Sequence, residues 1–331
     1  MRSGIERIAA GVVRALVALA ALVAALAHAE VSVVDDTGAM VSLRATARRI
    51  VTLAPHAAEL VFAAGAGSAI VGVIKGTDYP KAARSLPVVG DALALDLERI
   101  ASLDPDLIVT WPWTTPAQVN WLRDRGIAVF EADARTVDAI PDDIERIGVL
   151  AGTRGDASAA ATKLRARIAA LAPHLSGMPL RVFYQVSDVP LFTLGGRHLV
   201  SMAIALCGGR NVFDELTVPA PQIGVEAVLA ADPQVIVAGT ADAKRPDWLD
   251  RWSAFPSLAA AQRKALYVVD ANLLHRPGPR FVDGVDQLCA ALVDARRRHG
   301  IIGTAPIIDL PAVRGATMRS SAAAAADRQA Q

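Results

Sequence analysis

A short pattern that occurs twice constrains this chain more than any other feature. Leu97-Glu98-Arg99-Ile100-Ala101-Ser102-Leu103-Asp104-Pro105-Asp106-Leu107-Ile108-Val109 is matched in register by Val225-Glu226-Ala227-Val228-Leu229-Ala230-Ala231-Asp232-Pro233-Gln234-Val235-Ile236-Val237. Each copy starts as a short amphipathic helix and stops at Asp-Pro, because proline disfavours the helical conformation in the residue before it. Each then enters an apolar run of the kind that forms a buried parallel strand. Helix, stop and buried strand make half of a βαβ unit. Two copies on either side of the midpoint predict two similar α/β lobes. Asp-Pro before a strand is a common connection by itself; the glutamate at the same offset in both copies makes the pair more specific.

At 331 residues and 53% hydrophobic, the chain can bury two ordinary cores. Lys and Arg total 34 against 33 Asp and Glu, so no basic excess points to nucleic acid or an anionic membrane surface. Arg2, Arg7 and Arg14 precede an apolar run from Ala15 to Ala27, and Ala27-His28-Ala29 supplies small residues before Glu30. That is the pattern of a cleaved secretory signal peptide over residues 1–29. The run is short for a membrane span, and no cysteine follows the cleavage site to carry a lipid. The chain is therefore expected to be exported, and an oxidising compartment favours a bridge between its two cysteines, Cys207 and Cys289. Two buried thiols remain the alternative at this point.

The remaining organisation follows from local signals. Val31–Val34 and Val41–Leu43 flank a Gly-bearing turn and read as a hairpin. Strands are expected at 49–53, 70–73, 107–110 and 128–130, with helices at 56–64, 116–125 and 140–150, and Asp96 is placed to cap the helix that carries Glu98. These make a first lobe over residues 30–151. Ala157, Ala161, Leu164, Ile168 and Leu171 recur in steps of four and three, giving one apolar face to a helix over 156–171. That helix belongs to a connecting segment at 152–176, ended by Pro173 and Gly177, with no flexible Gly/Ser linker. A second lobe is expected over 177–303, with strands at 181–185 and 265–269, a helix at 198–207 and a last helix carrying Cys289. The composition of 304–331 predicts a disordered tail.

Catalytic signatures are lacking. There is no G-x-S-x-G elbow, phosphate-binding loop or H-E-x-x-H helix. Gly65-Ala66-Gly67 follows a helix and lacks the third glycine of a dinucleotide fingerprint. The histidines at 56, 174, 198, 275 and 299 are scattered rather than clustered as in a zinc receptor. A two-lobed exported binding protein is the expected class, not an enzyme and without a prosthetic group. The rival from another class is an exported hydrolase with dispersed catalytic residues.

Several stretches carry a resemblance: Arg49-Ile-Val-Thr-Leu-Ala-Pro-His-Ala-Ala-Glu-Leu, Asp78-Tyr-Pro, Leu97-Glu-Arg-Ile with Pro105-Asp-Leu-Ile-Val, and Cys207-Gly-Gly-Arg-Asn-Val-Phe. Together they resemble the helical-backbone metal-receptor family of ABC-transporter substrate-binding proteins, over roughly residues 48 to 296. Val218-Pro-Ala-Pro-Gln and Pro279-Arg280 through Leu288-Cys289 are most similar to its cobalamin-binding members. The resemblance implies two Rossmann-like α/β lobes joined by one long helix, with the ligand in the cleft between them. It implies only small lobe movements, a Cys207–Cys289 disulfide, and a monomer that delivers a small molecule to an inner-membrane ABC permease dimer.

The resemblance also implies site residues. Trp111 stands where the cobalamin binders have tryptophan, whereas other aromatic positions of that cleft fall on Gly76, Ala92 and Ala220. Flat aromatic faces supply much of the contact to a macrocycle, so Trp113, Tyr79, Tyr184 and Phe192 are the candidates to compensate. Core packing is the plainer reading of Tyr184 and Phe192. His275 and His56 are the histidines placed to touch ligand or to coordinate its metal axially, although His56 would also serve as a helix cap. The transported ligand is expected to be cobalamin. Haem, held by Tyr79 or a histidine, is the nearest rival, and a ferric siderophore held by Arg276 and Arg280 comes third. Glu98 and Glu226, one on each lobe, are expected to dock on the permease. The plain alternative is that each carboxylate simply favours the N-terminus of its helix.

Overall fold

The computed structural model describes residues 30–171 and 178–301. The expected leader (1–29), the expected tail (304–331) and the helix-ending Pro173 and Gly177 lie outside those residues. The described chain opens with the hairpin β1 (Val31–Val34) and β2 (Met40–Leu43), whose turn is closed by Asp35 Oδ1 accepting from the amides of Thr37 and Ala39, with Gly38 at φ +86°. Next come β3 (Ile50–Thr52), α1 (Pro55–Ala63), β4 (Ile70–Val73), α2 (Leu97–Ser102), β5 (Leu107–Thr110), α3 (Pro116–Arg123), β6 (Ala128–Glu131) and α4 (Ala139–Ala151). The helix α5 (Arg154–Leu171) leads to the second half. That half contains β7 (Leu180–Ser187), β8 (Phe192–Thr193), α6 (Leu199–Leu206), β9 (Gly209–Asn211), α7 (Val225–Ala231), β10 (Val235–Thr240), α8 (Ala259–Gln262), β11 (Leu266–Asp270), α9 (Ala271–Leu274) and α10 (Phe281–Arg298).

The two lobes share one topology. The first sheet runs β4-β3-β5-β6 with every pair parallel. In the second, β9, β7, β10 and β11 pair in the same order, also all parallel. The difference is β8, a two-residue strand antiparallel to the far half of β7. Strands β5 and β10 are buried along nearly their whole length because helices cover both faces.

The duplicated pattern is duplicated in its bonding as well. Both helices stop at an aspartate in the left-handed region, Asp104 at φ 47° and Asp232 at φ 39°. The following proline disfavours the right-handed helical conformation there, and aspartate tolerates the left-handed one. In each lobe an arginine at the entrance of the first strand reaches across to that stop. Arg49 Nε donates to the carbonyls of Leu103 (2.8 Å) and Asp104 (3.1 Å), and Arg181 Nε donates to that of Asp232 (2.9 Å). The residue after each proline accepts from the same arginine's amide, Asp106 Oδ1 at 3.1 Å and Gln234 Oε1 at 3.0 Å. This bracket fixes the register of β3 on β5 and of β7 on β10, with Ile50 opposite Leu107 and Val182 opposite Val235.

Helix α5 buries Ala157, Ala161, Leu164 and Ile168, four of the five residues of its expected face. It packs so closely on α4 that a Cβ on Gly148 would fall 2.2 Å from that of Ala157. Two neighbouring arginines then tie it to both lobes. Arg165 pairs with Asp142 and Glu145 on α4, and Arg167 with Asp283 and Asp286 on α10. These pairs are partly exposed, so each contributes little on its own. One continuous set of buried side chains nevertheless runs from Leu60 and Ile144 through Leu164 to Val285 and Leu288, which couples the lobes mechanically.

Some elements depart from expectation. Strands β8 and β9 and the short α8 and α9 carry no pattern long enough to register in sequence. Helix α3 stops at Arg123 rather than Arg125, because the chain turns at Gly126 (φ +75°). Helix α6 begins at Leu199 because His198 is its cap, its Nδ1 accepting from the amide of Val200. Cys207 and Cys289 are bonded and join the end of α6 to α10.

Candidate ligand cleft

Parallel sheets of this order present the C-terminal ends of their strands on one edge, where open α/β sheets hold ligands. In the first lobe Thr110 ends β5, and Thr114 N donates to Trp111 O (3.0 Å) to close a turn that starts with Trp111-Pro112-Trp113. The Thr110 and Thr114 hydroxyls pair beneath it, and Thr115 with Gln118 forms a capping box that begins α3. Trp113 is thereby held 69% exposed. Trp111 is half-buried, 6.2 Å from Trp113 between ring centroids and edge-on to His56 at 5.4 Å. Tyr79, in the loop after β4, is 47% exposed.

The second lobe faces these residues through the loop between α9 and α10. Gly278, between Pro277 and Pro279, comes so near α1 that a Cβ there would lie 3.3 Å from the Cβ of His56. On either side of it, two arginines cross to the first lobe. Arg280 donates to Glu59 through Nη2 (2.6 Å) and Nε (3.0 Å), and its guanidinium carbon lies 4.2 Å from the Tyr79 ring centroid. Arg276 donates to Asp78 Oδ1 at 2.7 Å and to Asn272 Oδ1 at 2.9 Å. Burial pushes the Glu59 carboxyl above its ordinary value against the pull of Arg280. For Asp78, burial is outweighed by the Arg276 contact, and its carboxyl is held below the usual range. Both cationic groups that were expected to receive an anionic chelate are thus already matched by carboxylates.

Three histidines near these edges, His56, His198 and His275, are held neutral by burial. Burial holds His275 down to about 4, and burial with the neighbouring His275 does the same for His198. His275 Nε2 lies 3.0 Å from the Tyr184 hydroxyl. Burial raises the Tyr184 phenol, so the tyrosine keeps its proton, and the hydroxyl and Nε2 share one hydrogen bond whose donor is set by the imidazole tautomer. Gly239 makes room for this pair: a Cβ there would meet the Tyr184 oxygen at 2.1 Å. His56 is 1% exposed, and burial with the charge of Arg276 lowers it to about 3.

The expected residues therefore separate into layers. Trp111, Trp113, Tyr79 and His275 lie on the facing edges of the lobes. His56 does not: the helical start at Pro55 turns its ring inward between Trp111 and Gly278, and its Nε2 is buried without a partner. His56 packs behind Trp111 with its ring buried, and Nε2 of His275 is hydrogen-bonded to Tyr184. Tyr184 is fully buried and structural, while Phe192 is half-buried. Glu98 and Glu226 are exposed, in the first turns of α2 and α7, and neither makes an ion pair among the described residues. Sequence reasoning missed Glu59 and Gly239. Glycine inside the apolar run of β10 is a signal of close approach, but an isolated glutamate on a helix carries none. No group of three or more His, Cys, Asp or Glu side chains stands ready for a metal among the described residues.

Comparison with known proteins agrees with this architecture. A family described as periplasmic binding protein matches residues 50–273. The vitamin B12-binding protein of Vibrio cholerae serotype O1 is 36% identical over 254 residues, covering 76% of this chain and 91% of the relative. The crystal structure of the periplasmic vitamin B12-binding protein of Vibrio cholerae superposes with a TM-score of 0.70 at 37% identity, over 76% of this chain and 98% of that one. A periplasmic haem-binding protein from Roseiflexus superposes with a TM-score of 0.65 at 27% identity, over 75% and 98%.

Proposed function

The chain belongs to the periplasmic binding-protein family, and on that premise we propose that it is a periplasmic receptor that captures a corrinoid, cobalamin in the first place, and hands it to an inner-membrane ABC permease. The observation that carries the choice of ligand is the charge state of the facing edges. Arg280 is matched by Glu59, Arg276 by Asp78, and His198 and His275 are neutral. What remains on offer is aromatic: Trp111, Trp113 and Tyr79. Such a wall suits a large, amide-rich, nearly neutral macrocycle, which needs flat apolar contact and few charges. A ferric siderophore or the carboxylates of haem would need free cations in the cleft, and both arginines are engaged. The V. cholerae relatives, described as vitamin B12-binding, support the same reading.

Haem is the second reading. It is favoured by the exposed Tyr79 phenol, a possible axial ligand by its chemistry, and by the likeness to the Roseiflexus haem-binding protein. The test is titration of the exported protein with cyanocobalamin, hemin and a ferric siderophore, followed by absorption spectroscopy and calorimetry. Stoichiometric uptake of cyanocobalamin without turnover is the expected outcome. A Soret shift with hemin and no uptake of cyanocobalamin would replace the corrinoid reading with the haem one.

A further inference from the structure

We propose that Arg280 is a positioning residue of the binding site, fixing the Tyr79 ring in the cleft wall and the lobes at their separation before ligand arrives. Its bearing on ligand rests on the reading above that Tyr79 contacts the cargo. The argument starts from Glu59, whose side chain is 2% exposed in α1 and cannot be left without a cation at low cost. Arg280 satisfies it from the other lobe with two nearly parallel N–H groups, at 2.6 and 3.0 Å. A guanidinium held edge-on in this way has its plane fixed. Its central carbon lies over the Tyr79 ring, 4.2 Å from the centroid, within cation–π range. The same group lies 3.9 Å from Asp78, the residue before Tyr79.

Asp78, the residue before Tyr79, is also held across the lobes by Arg276 at 2.7 Å, a restraint on the loop rather than on the ring. The loop is tied from its own lobe by Arg84 Nε to the carbonyl of Asp78 (2.8 Å) and by Thr77 N to the carbonyl of Ile74 (3.2 Å). The ring itself is 47% exposed. The position of an aromatic wall residue in one lobe is thus set by a cation from the other, and that cation is oriented by a buried carboxylate back in the first lobe. Lysine in place of Arg280 would keep the charge for Glu59 and lose both the fork and the flat face. A role confined to fold stability makes a different prediction, since its effect on ligand would not depend on Tyr79.

The test has a ligand-free arm and a ligand arm. In the free protein, hydrogen exchange of the segment 74–84 is followed in the unmodified chain and in Arg280→Lys. Exchange there is expected to rise about tenfold, with the hairpin at 31–43 unchanged. Affinity for cyanocobalamin is then measured for Arg280→Lys, Tyr79→Leu and the double variant. Each single change is expected to cost about tenfold, and the double variant no more than about twofold beyond the weaker single one. If Arg280→Lys folds poorly, Glu59→Gln with Arg280→Gln removes both charges together and takes its place. Unchanged exchange at 74–84, or losses that multiply in the double variant, would overturn the proposal. Failure of the unmodified protein to take up cyanocobalamin would overturn the corrinoid reading instead, and the exchange arm alone would then decide the role of Arg280.

Discussion

The hydroxyl of Tyr184, in the core of the second lobe, lies 3.0 Å from Nε2 of His275 at the lobe's open edge. Nε2 of His275 is therefore already engaged from within the protein. Cobalamin should be held without imidazole coordination, and aquocobalamin should keep the spectrum of its aquo form when bound. Tyr184→Phe keeps the packing and leaves His275 unpaired, at a cost of about 1 kcal/mol in unfolding free energy. Affinity for cyanocobalamin should stay within about twofold, since no coordination bond is lost. A bound spectrum typical of imidazole ligation in the unmodified protein would contradict this.

The two tryptophans should behave differently. Trp113 is 69% exposed beside Trp111, so Trp113→Ala is expected to weaken cyanocobalamin binding by about tenfold, the scale of a lost aromatic stack, with the melting temperature unchanged. Trp111 also packs on His56 and on the apolar core. Trp111→Ala should lower both affinity and stability, the latter by about 2–3 kcal/mol for a partly buried indole. Calorimetry and denaturant unfolding on the same preparations separate the two. Loss of stability alone for Trp111→Ala would reduce it to a plug in the lobe.

Much of this arrangement was legible in the sequence because it rests on local rules. The Asp-Pro stops, the buried strands and the 4-3-4 face of α5 follow from backbone sterics and periodicity, and Asp96 caps α2 as its position suggests, accepting from Arg99 N at 2.9 Å. The site was legible only in part. Trp111, Tyr79 and His275 sit at element ends, where sequence can place them on an edge. The inward turn of His56, the Tyr184–His275 bond and the Glu59–Arg280 pair depend on contacts between segments far apart in the chain, and no local signal encodes them. Strand β9 was lost because three residues, Gly209 to Asn211, are too few to show a period.

The disulfide spans 82 residues of sequence. Closing a loop of that length restricts the unfolded chain, and Cys207→Ala with Cys289→Ala should lower the unfolding free energy by about 2–4 kcal/mol. Both residues lie away from the facing edges, so affinity for ligand should persist in the folded fraction. Thiol titration of the unreduced, denatured protein should find no free thiol, and two would rule the bridge out.

His56 should make the fold sensitive to acid. Its folded value is lowered to about 3 from an ordinary 6.5 by burial and by Arg276. The unfolded chain therefore binds a proton below pH 6.5 that the folded one refuses. This contribution to stability is complete above pH 6.5 and is lost as pH falls toward 3. Between pH 7 and 4.5 the loss is on the order of 2–3 kcal/mol. Asp143 acts in the opposite sense: burial and Asp36 push its carboxyl up to about 8, so its share of stability is greatest in acid and declines as pH rises from about 4 to 8. The histidine is isolated by comparing the unmodified protein with His56→Leu, which has no titrating group to bury. The variant should lose less stability than the unmodified chain over that range in urea unfolding. Parallel curves would show that His56 is not the sensor.

Glu98 and Glu226 occupy the same place in the duplicated unit, two residues after Asp96 and Gly224, the N-caps of α2 and α7. Both are exposed, and neither is spent on an ion pair among the described residues. The N-terminus of a helix favours a carboxylate by about 0.3–1 kcal/mol, which accounts for each singly. The pair has a further property, because a pseudo-twofold protein carrying one free carboxylate per lobe is suited to a partner built from two identical subunits. Glu98→Ala with Glu226→Ala should leave cyanocobalamin affinity within about twofold, as neither side chain belongs to the cleft wall. Association with the permease in vesicles should slow, and the remaining rate should depend less on salt, since charge pairs of this kind act mainly on encounter. Each single variant should show part of the effect. A double variant that binds ligand poorly yet docks at the normal rate would move both glutamates from the docking surface to the ligand site.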